Sequence, residues 1–190
     1  KHMSGQDCND GTGFQGGSIT NCESFKGDNE KFLPSTTFAT QHTLFSGSDQ
    51  IDLYYFGRGH TDGDIFVVYK DARTVQTGDM FARKGLPYID SASSNGSASE
   101  FGETLRKAVA GISGIDSVIT GHADDPHTWN DLVNYSGFYN DLATKAKAAD
   151  SRGQSVDDFV SAYRTPAQYS DFAIDEGRLR TVVDLIYNGR

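Results

Sequence analysis

The sequence predicts an α/β (α+β) layered fold: a strand meander, one helix leading into a further strand, then a helical tail. Three observations carry this. Residues 36–77 hold short runs rich in β-branched and aromatic residues separated by polar turns. Residues 98–111 place apolar side chains at helical spacing, and a short apolar run follows at 115–120. Beyond residue 126 the pattern is helical almost to the end.

Residues 1–30 are rich in Gly, Asn, Asp and Ser and read as loop, with one short helical piece at most. A weak strand is expected at 36–44, a stronger one at 50–56 (QIDLYYF), and a third at 64–69 (DIFVVY). The polar turn Lys70-Asp71-Ala72-Arg73 leads into a fourth at 74–77. Such spacing predicts an antiparallel meander. Residues 85–96 read as loop, running into the Ser-rich stretch 91–99. In the helix at 98–111, Phe101, Leu105, Val109 and Ile112 fall near one face. The run IDSVIT at 115–120 is a short buried strand ending at Gly121-His122. Helices are expected at 128–149, 155–163 and 174–187, with Ser155 as an N-cap followed by Asp157 and Asp158 in the first turn.

The chain has 190 residues, 36% of them hydrophobic and 23% charged, in keeping with one folded domain. It divides into a loop-rich start (1–30), a sheet, helix and loop region (31–125) and a helical tail (126–190). A meander at the start of a chain needs further structure to cover its second face, so the domain is expected to be N-terminally incomplete as given. No run approaches the roughly 18 consecutive apolar residues of a membrane span. A net charge of −9 with scattered Lys and Arg argues against a nucleic-acid partner, and an acidic surface serves solubility. Cys8 and Cys22 lack CxxC spacing; they are either a disulfide across a flexible loop or two free thiols, which leaves the compartment open.

Chemistry concentrates in three strand-end loops. His60 stands in Gly59-His60-Thr61-Asp62-Gly63-Asp64, between two expected strands. Asp79 follows Gly78 at the end of another, and His122 follows Gly121 at the end of a third. A glycine before a loop-borne ligand lets the backbone turn sharply and approach an ion closely. The strands between His60 and Asp79 make one out-and-back trip, which returns Asp79 to the sheet edge where His60 lies. Two imidazoles and a carboxylate at one edge suit zinc or another first-row metal. Taken singly, a His after a strand is more often a hydrogen-bonded loop residue than a ligand, and a lone Gly-Asp is usually a turn. His42 reads as a half-buried or surface strand residue, His127 as an exposed loop residue near His122, and Trp129 as an anchor for the following helix. Tyr54, Tyr55 and Tyr88 read as core or rim, and the loops around 80–99 as the shapers of a substrate site.

The segments GHTDGDIFVVY, TGDMF and SVITGHA, in that order, resemble the second half of the metallo-β-lactamase superfamily over roughly residues 30–125. The resemblance implies a four-layer αββα sandwich, of which this chain supplies mainly the C-terminal half plus a helical tail. It also implies that His60 binds a first metal, that Asp79 bridges two metals or serves the second, and that His122 completes the second site. The family's HxHxDH motif is absent from this sequence. The nearest match is Lys1-His2-Met3-Ser4-Gly5, in which His2 stands for the last histidine and Lys1 replaces the expected Asp; His2-Met3 equally suits a cloning remnant. On this resemblance His2 joins the candidate ligands, and Thr61 is assigned to orienting His60. The implied cofactor is one or two zinc ions, with iron or manganese as alternatives. The implied function is a hydrolase that uses zinc-activated hydroxide on an ester, thioester, lactone or lactam-type substrate. Two rivals remain: a degenerate non-catalytic binding domain, and an iron enzyme resembling persulfide dioxygenases.

Overall fold

The computed structural model describes residues 27–32 and 36–190. Strands β1 (Gln41–Leu44), β2 (Ile51–Tyr54), β3 (Phe66–Tyr69) and β4 (Thr74–Gln76) form the expected antiparallel meander. β5 (Ser117–Ile119) adds to β4 in parallel, and β6 (His127–Thr128) adds to β5 antiparallel, so spatial order equals chain order. A parallel neighbour requires a crossover, and helix α1 (Ala98–Gly111) provides it over the expected span. Helices α2 (Trp129–Asp150), α3 (Val156–Ala162) and α4 (Glu176–Tyr187) make up the tail. The result is a mixed α/β fold with one six-stranded sheet and four α-helices among the described residues.

Three strands differ from expectation. The first two strands are shorter than the runs at 36–44 and 50–56; Gly57, at φ 136°, turns the chain out of the sheet soon after Tyr54. β6 spans two residues, too few for any periodicity to show in sequence. His127 therefore lies in a strand rather than an exposed loop, with its ring 5.2 Å from that of Phe81. Its Nε2 is buried without a hydrogen-bond partner.

Register explains which sheet face is covered. Asp52, Val68, Val75 and Val118 are matched across four strands and all are buried. Phe66 joins them, and Phe101, Leu105 and Ala108 of α1 pack over them in one core with Leu132, Tyr135 and Tyr139 of α2. Burial of each large apolar side chain contributes roughly 1.5–3 kcal/mol. On the opposite face Ile51, Leu53, Val67 and Gln76 are half-buried, and Tyr69 and Ile119 are exposed. The described chain thus supplies one sheet and the helix layer on one side of it.

Helix starts follow the sequence. The side chains of Ser97, Ser155 and Asp175 accept hydrogen bonds from the backbone N–H groups of Glu100, Asp158 and Arg178. Thr128 and Asp131 form a reciprocal capping box at the start of α2. Among the described residues no helix is long and apolar enough to cross a membrane.

Asp131 also receives Lys84 Nζ at 2.7 Å. Burial pushes its carboxyl pKa up, but Lys84 and the Thr128 donors outweigh that and hold it at about 2. A carboxyl with a lowered folded-state pKa stabilises the fold above its unfolded value of about 4, and that contribution disappears as pH falls through the folded value. Asp131→Asn is expected to cost on the order of 1–2 kcal/mol near neutral pH, with the deficit shrinking between about pH 4 and pH 2. Urea unfolding across that range measures it; a deficit independent of pH would assign the loss to packing instead.

Candidate metal centre

The His60 loop leaves β2 and is stitched to the segment before α1. Gly59 O accepts from Ser97 N, His60 O from Asp90 N, and Ser94 O from Asp62 N, all at 2.8–2.9 Å. The Asp90 carboxylate folds that segment by accepting from Ser93 N at 3.0 Å and Ser94 Oγ at 2.7 Å. Within and beside the loop, Asp62 accepts from Tyr55 Oη and Asn95 Nδ2, and Arg58 pairs with Glu100. Gly59 is required by contact, because a Cβ there would run into the thioether of buried Met80.

Asp79 lies in the 3-10 turn Gly78–Phe81, just past β4. Thr77, fully buried, donates its N–H to Ile119 O at 2.9 Å and places its hydroxyl 3.3 Å from both Phe81 O and Ile119 O. This joins the end of β4 to the end of β5, after which comes His122. His122 N then donates to Ala82 O at 2.9 Å. Gly78 adopts φ 50°, which only glycine takes readily. Gly121 lies so close that a Cβ would collide with the Asp79 carboxylate and approach the Gly78 backbone to 2.9–3.0 Å.

The three loops deliver the expected trio to one place. Asp79 stands between two imidazoles: His60 Nε2 is 3.3 Å from Oδ2, and His122 Nε2 is 3.1 Å from Oδ1. The side chains grade outward, from His60 at 15% exposed through Asp79 at 33% to His122 at 56%. In this arrangement each imidazole is engaged by its own carboxylate oxygen. Among the described residues no three His, Cys, Asp or Glu side chains are arranged as a group that would hold a metal ion. The donor chemistry still fits a first-row ion, since imidazole nitrogen and carboxylate oxygen are both zinc ligands. His60 Nδ1 is buried with no hydrogen-bond partner.

That last observation corrects the role assigned to Thr61. Its hydroxyl accepts from Gly63 N at 3.0 Å and its N–H donates to Asp64 Oδ2 at 2.6 Å, so its bonds run within its own loop. The group beside the His60 ring is Tyr88, with centroids 5.7 Å apart and planes at 59°. Asp64 is an acidic neighbour that sequence reasoning did not single out. Burial raises its carboxyl pKa, against the lowering effects of the Thr61 N–H and of His60. His42 lies in β1, stacked on Phe38 at 5.9 Å and away from the trio's loops. Trp129 opens α2, partly buried against the core. His2, Cys8 and Cys22 lie outside the described residues.

A cleft of about 490 Å³ opens beside Asp79 and His122. One wall runs from Ala82 to Tyr88, within the loop stretch expected to shape a substrate site; the other comprises Ala173, Asp175 and Arg178 from the tail. Sequence gave no signal for the tail's contribution, which depends on where α4 packs.

A family model described as the metallo-beta-lactamase superfamily matches residues 10–131. No curated protein matches the chain. Among solved structures, a stereoselective inverting sec-alkylsulfatase from Pseudomonas sp. aligns with a TM-score of 0.66 at 11% identity, covering 80% of this chain and 26% of that one. A metallo-beta-lactamase from Pontibacter korlensis aligns at 0.48 and 19% identity, over 64% of this chain and 54% of that one. The chain therefore spans about a quarter of the sulfatase, and that likeness shows the fold. With the family model covering well over half of its residues, the chain belongs to the metallo-beta-lactamase superfamily, whose members are typically metal-dependent hydrolases.

Proposed function

We propose that this chain carries the metal-holding part of a hydrolase acting on an ester, thioester, lactone or lactam-type small molecule. The observation that carries the reading is a single carboxylate, Asp79, contacted by imidazoles from two other loops at the mouth of a cleft. His60, Asp79 and His122 are the residues that would hold zinc, and His2 is a further candidate ligand. A bound zinc ion supplies Lewis acidity and brings the pKa of water toward about 7.

The chain's own side chains do the rest. Tyr88 backs His60, and burial raises the carboxyl pKa of the neighbouring Asp64 while the Thr61 N–H and His60 act to lower it. Leu86 and Ala173 give the cleft apolar wall, which favours an organic substrate over water. A volume of about 490 Å³ is that of a small-molecule site. The net charge of −9 disfavours a nucleic-acid partner, and we propose neither that nor a membrane partner.

Zinc content by elemental analysis, paired with hydrolysis of 4-nitrophenyl acetate, tests this. Stoichiometric zinc and turnover are expected. His60→Ala, Asp79→Ala and His122→Ala should each lower zinc affinity at least about tenfold, and His2→Ala tests the further ligand. A chain that takes up no zinc and turns over nothing would sink the reading, and retained iron would favour an oxygen-using enzyme.

Gly121→Ala provides a second, independent check on the site. Its methyl group would displace the Asp79 carboxylate. Zinc affinity should fall about tenfold or more while the far-UV circular dichroism of the helices is retained. Unchanged affinity would show that Asp79 is not a ligand.

A further inference from the structure

We propose that Arg178, from the helical tail, together with Arg83 forms an oxyanion-binding subsite in this cleft, so that the substrate carries an anionic group. The assignment of that anion to a substrate rests on the hydrolase reading above; the subsite itself rests on geometry. Three basic side chains line the cleft: Arg83, Lys84 and Arg178. Lys84 is already committed to Asp131 at 2.7 Å. Among the described residues neither the Arg83 nor the Arg178 guanidinium has a hydrogen-bond or ion-pair partner. Five other arginines do: Arg58, Arg73, Arg106 and Arg180 pair with carboxylates and Arg164 donates to backbone carbonyls, while Arg152 and Arg190, bonded only through their main chains, do not line the cleft. In a chain of net charge −9, two unpaired guanidinium groups lining one cleft leave their donors free for a ligand.

Arg178 is also held in place. Its guanidinium lies over the Tyr88 ring, 5.2 Å from the centroid, and Tyr88 in turn lies against His60. Such a cation–π contact directs a planar group without using its hydrogen-bond donors. The backbone beneath is fixed from both sides. Ala173 N donates to Lys84 O at 3.1 Å and Ala173 bridges Gly85, which ties the approach to α4 to the loop after Asp79. Leu179, Val182, Val183 and Ile186 are buried and anchor α4. Two carboxylates also line the cleft. Asp79 faces the histidines, and Asp175 has one oxygen, Oδ1, accepting from Arg178 N at 2.7 Å. Guanidinium forks recognise planar carboxylates and tetrahedral sulfates alike, so the shared chemistry is an oxyanion set beside the reacting centre.

Calorimetric titration with glutarate and with sulfate at low ionic strength reads the subsite without turnover, with and without zinc. One saturable site is expected. Arg178→Ala should weaken binding at least tenfold, and Arg178→Lys, which keeps the charge but not the fork, should restore part of it. Arg106→Ala, a change of equal charge on the surface of α1, should leave it within about twofold. No saturable binding of either anion, or equal loss in Arg178→Ala and Arg106→Ala, would overturn the proposal. Preference for glutarate over sulfate would assign a carboxylate substrate, and the reverse a sulfate ester. Turnover of 4-nitrophenyl hydrogen glutarate against 4-nitrophenyl butyrate then separates the two readings. A preference for the anionic ester that collapses in Arg178→Ala through KM supports both. Hydrolysis without any preference sinks the subsite and spares the hydrolase. Anion binding through Arg178 without hydrolysis does the opposite.

Discussion

One carboxylate must meet imidazoles from two loops that are distant in sequence, and much of the architecture follows from that requirement. His122 reaches Asp79 because β4 and β5 lie side by side and run the same way, so the loops leaving their ends emerge together. Parallel pairing needs a crossover, hence α1 between them, and α1 in turn covers the face bearing Val68, Val75 and Val118. Thr77 fixes the two strand ends by bonding to Ile119 O from both its N–H and its hydroxyl. Gly121 then permits the closest approach, since any side chain there would take the space of the carboxylate. Sites at the carboxyl ends of parallel strands are a general consequence of such connectivity.

The tail does more than cover the sheet. An aromatic stack, with Phe138 of α2 on Phe172 at 4.8 Å and 6° and Tyr135 on Phe81 at 4.6 Å, joins α2 both to the turn bearing Asp79 and to the segment before α4. Phe172 is followed by Ala173, which bonds Lys84 in the cleft wall. Core packing thereby sets the distance between Arg178 and the loops bearing His60, Asp79 and His122. Aromatic contacts of this kind contribute roughly 0.5–1.5 kcal/mol each beyond their buried area, and here they also place a wall of the cleft.

Legibility in the sequence followed how local each signal was. The four-strand meander, α1 and the cap at Ser155 rest on short-range patterns and turn chemistry, and most of those elements fell close to the expected spans. Likewise, the glycines before His60, Asp79 and His122 pointed to close approach, and the structure gives each a distinct cause: Met80 at Gly59, a positive φ at Gly78 and the Asp79 carboxylate at Gly121. Contacts set by tertiary packing were not legible. Nothing local distinguishes Tyr88 as the neighbour of His60, or Arg178 among the basic residues of the tail. Thr61 was assigned by adjacency, yet its hydroxyl is taken up by the turn at Gly63. His127 was misread because a two-residue strand leaves no pattern.

The trio is graded in exposure from one side to the other. His60 is the deepest, set between the stitched loop and Tyr88, and it does not line the cleft; Asp79 and the more exposed His122 do. Among the described residues the open side of the trio is therefore the His122 side. Arg83 and Arg178 line that same opening, whereas Arg58, paired with Glu100, does not. A molecule entering meets the guanidinium groups and the exposed imidazole before the buried one. The strongly acidic chain thus presents two unpaired arginines, Arg83 and Arg178, at this opening, which favours anionic ligands locally despite the overall charge.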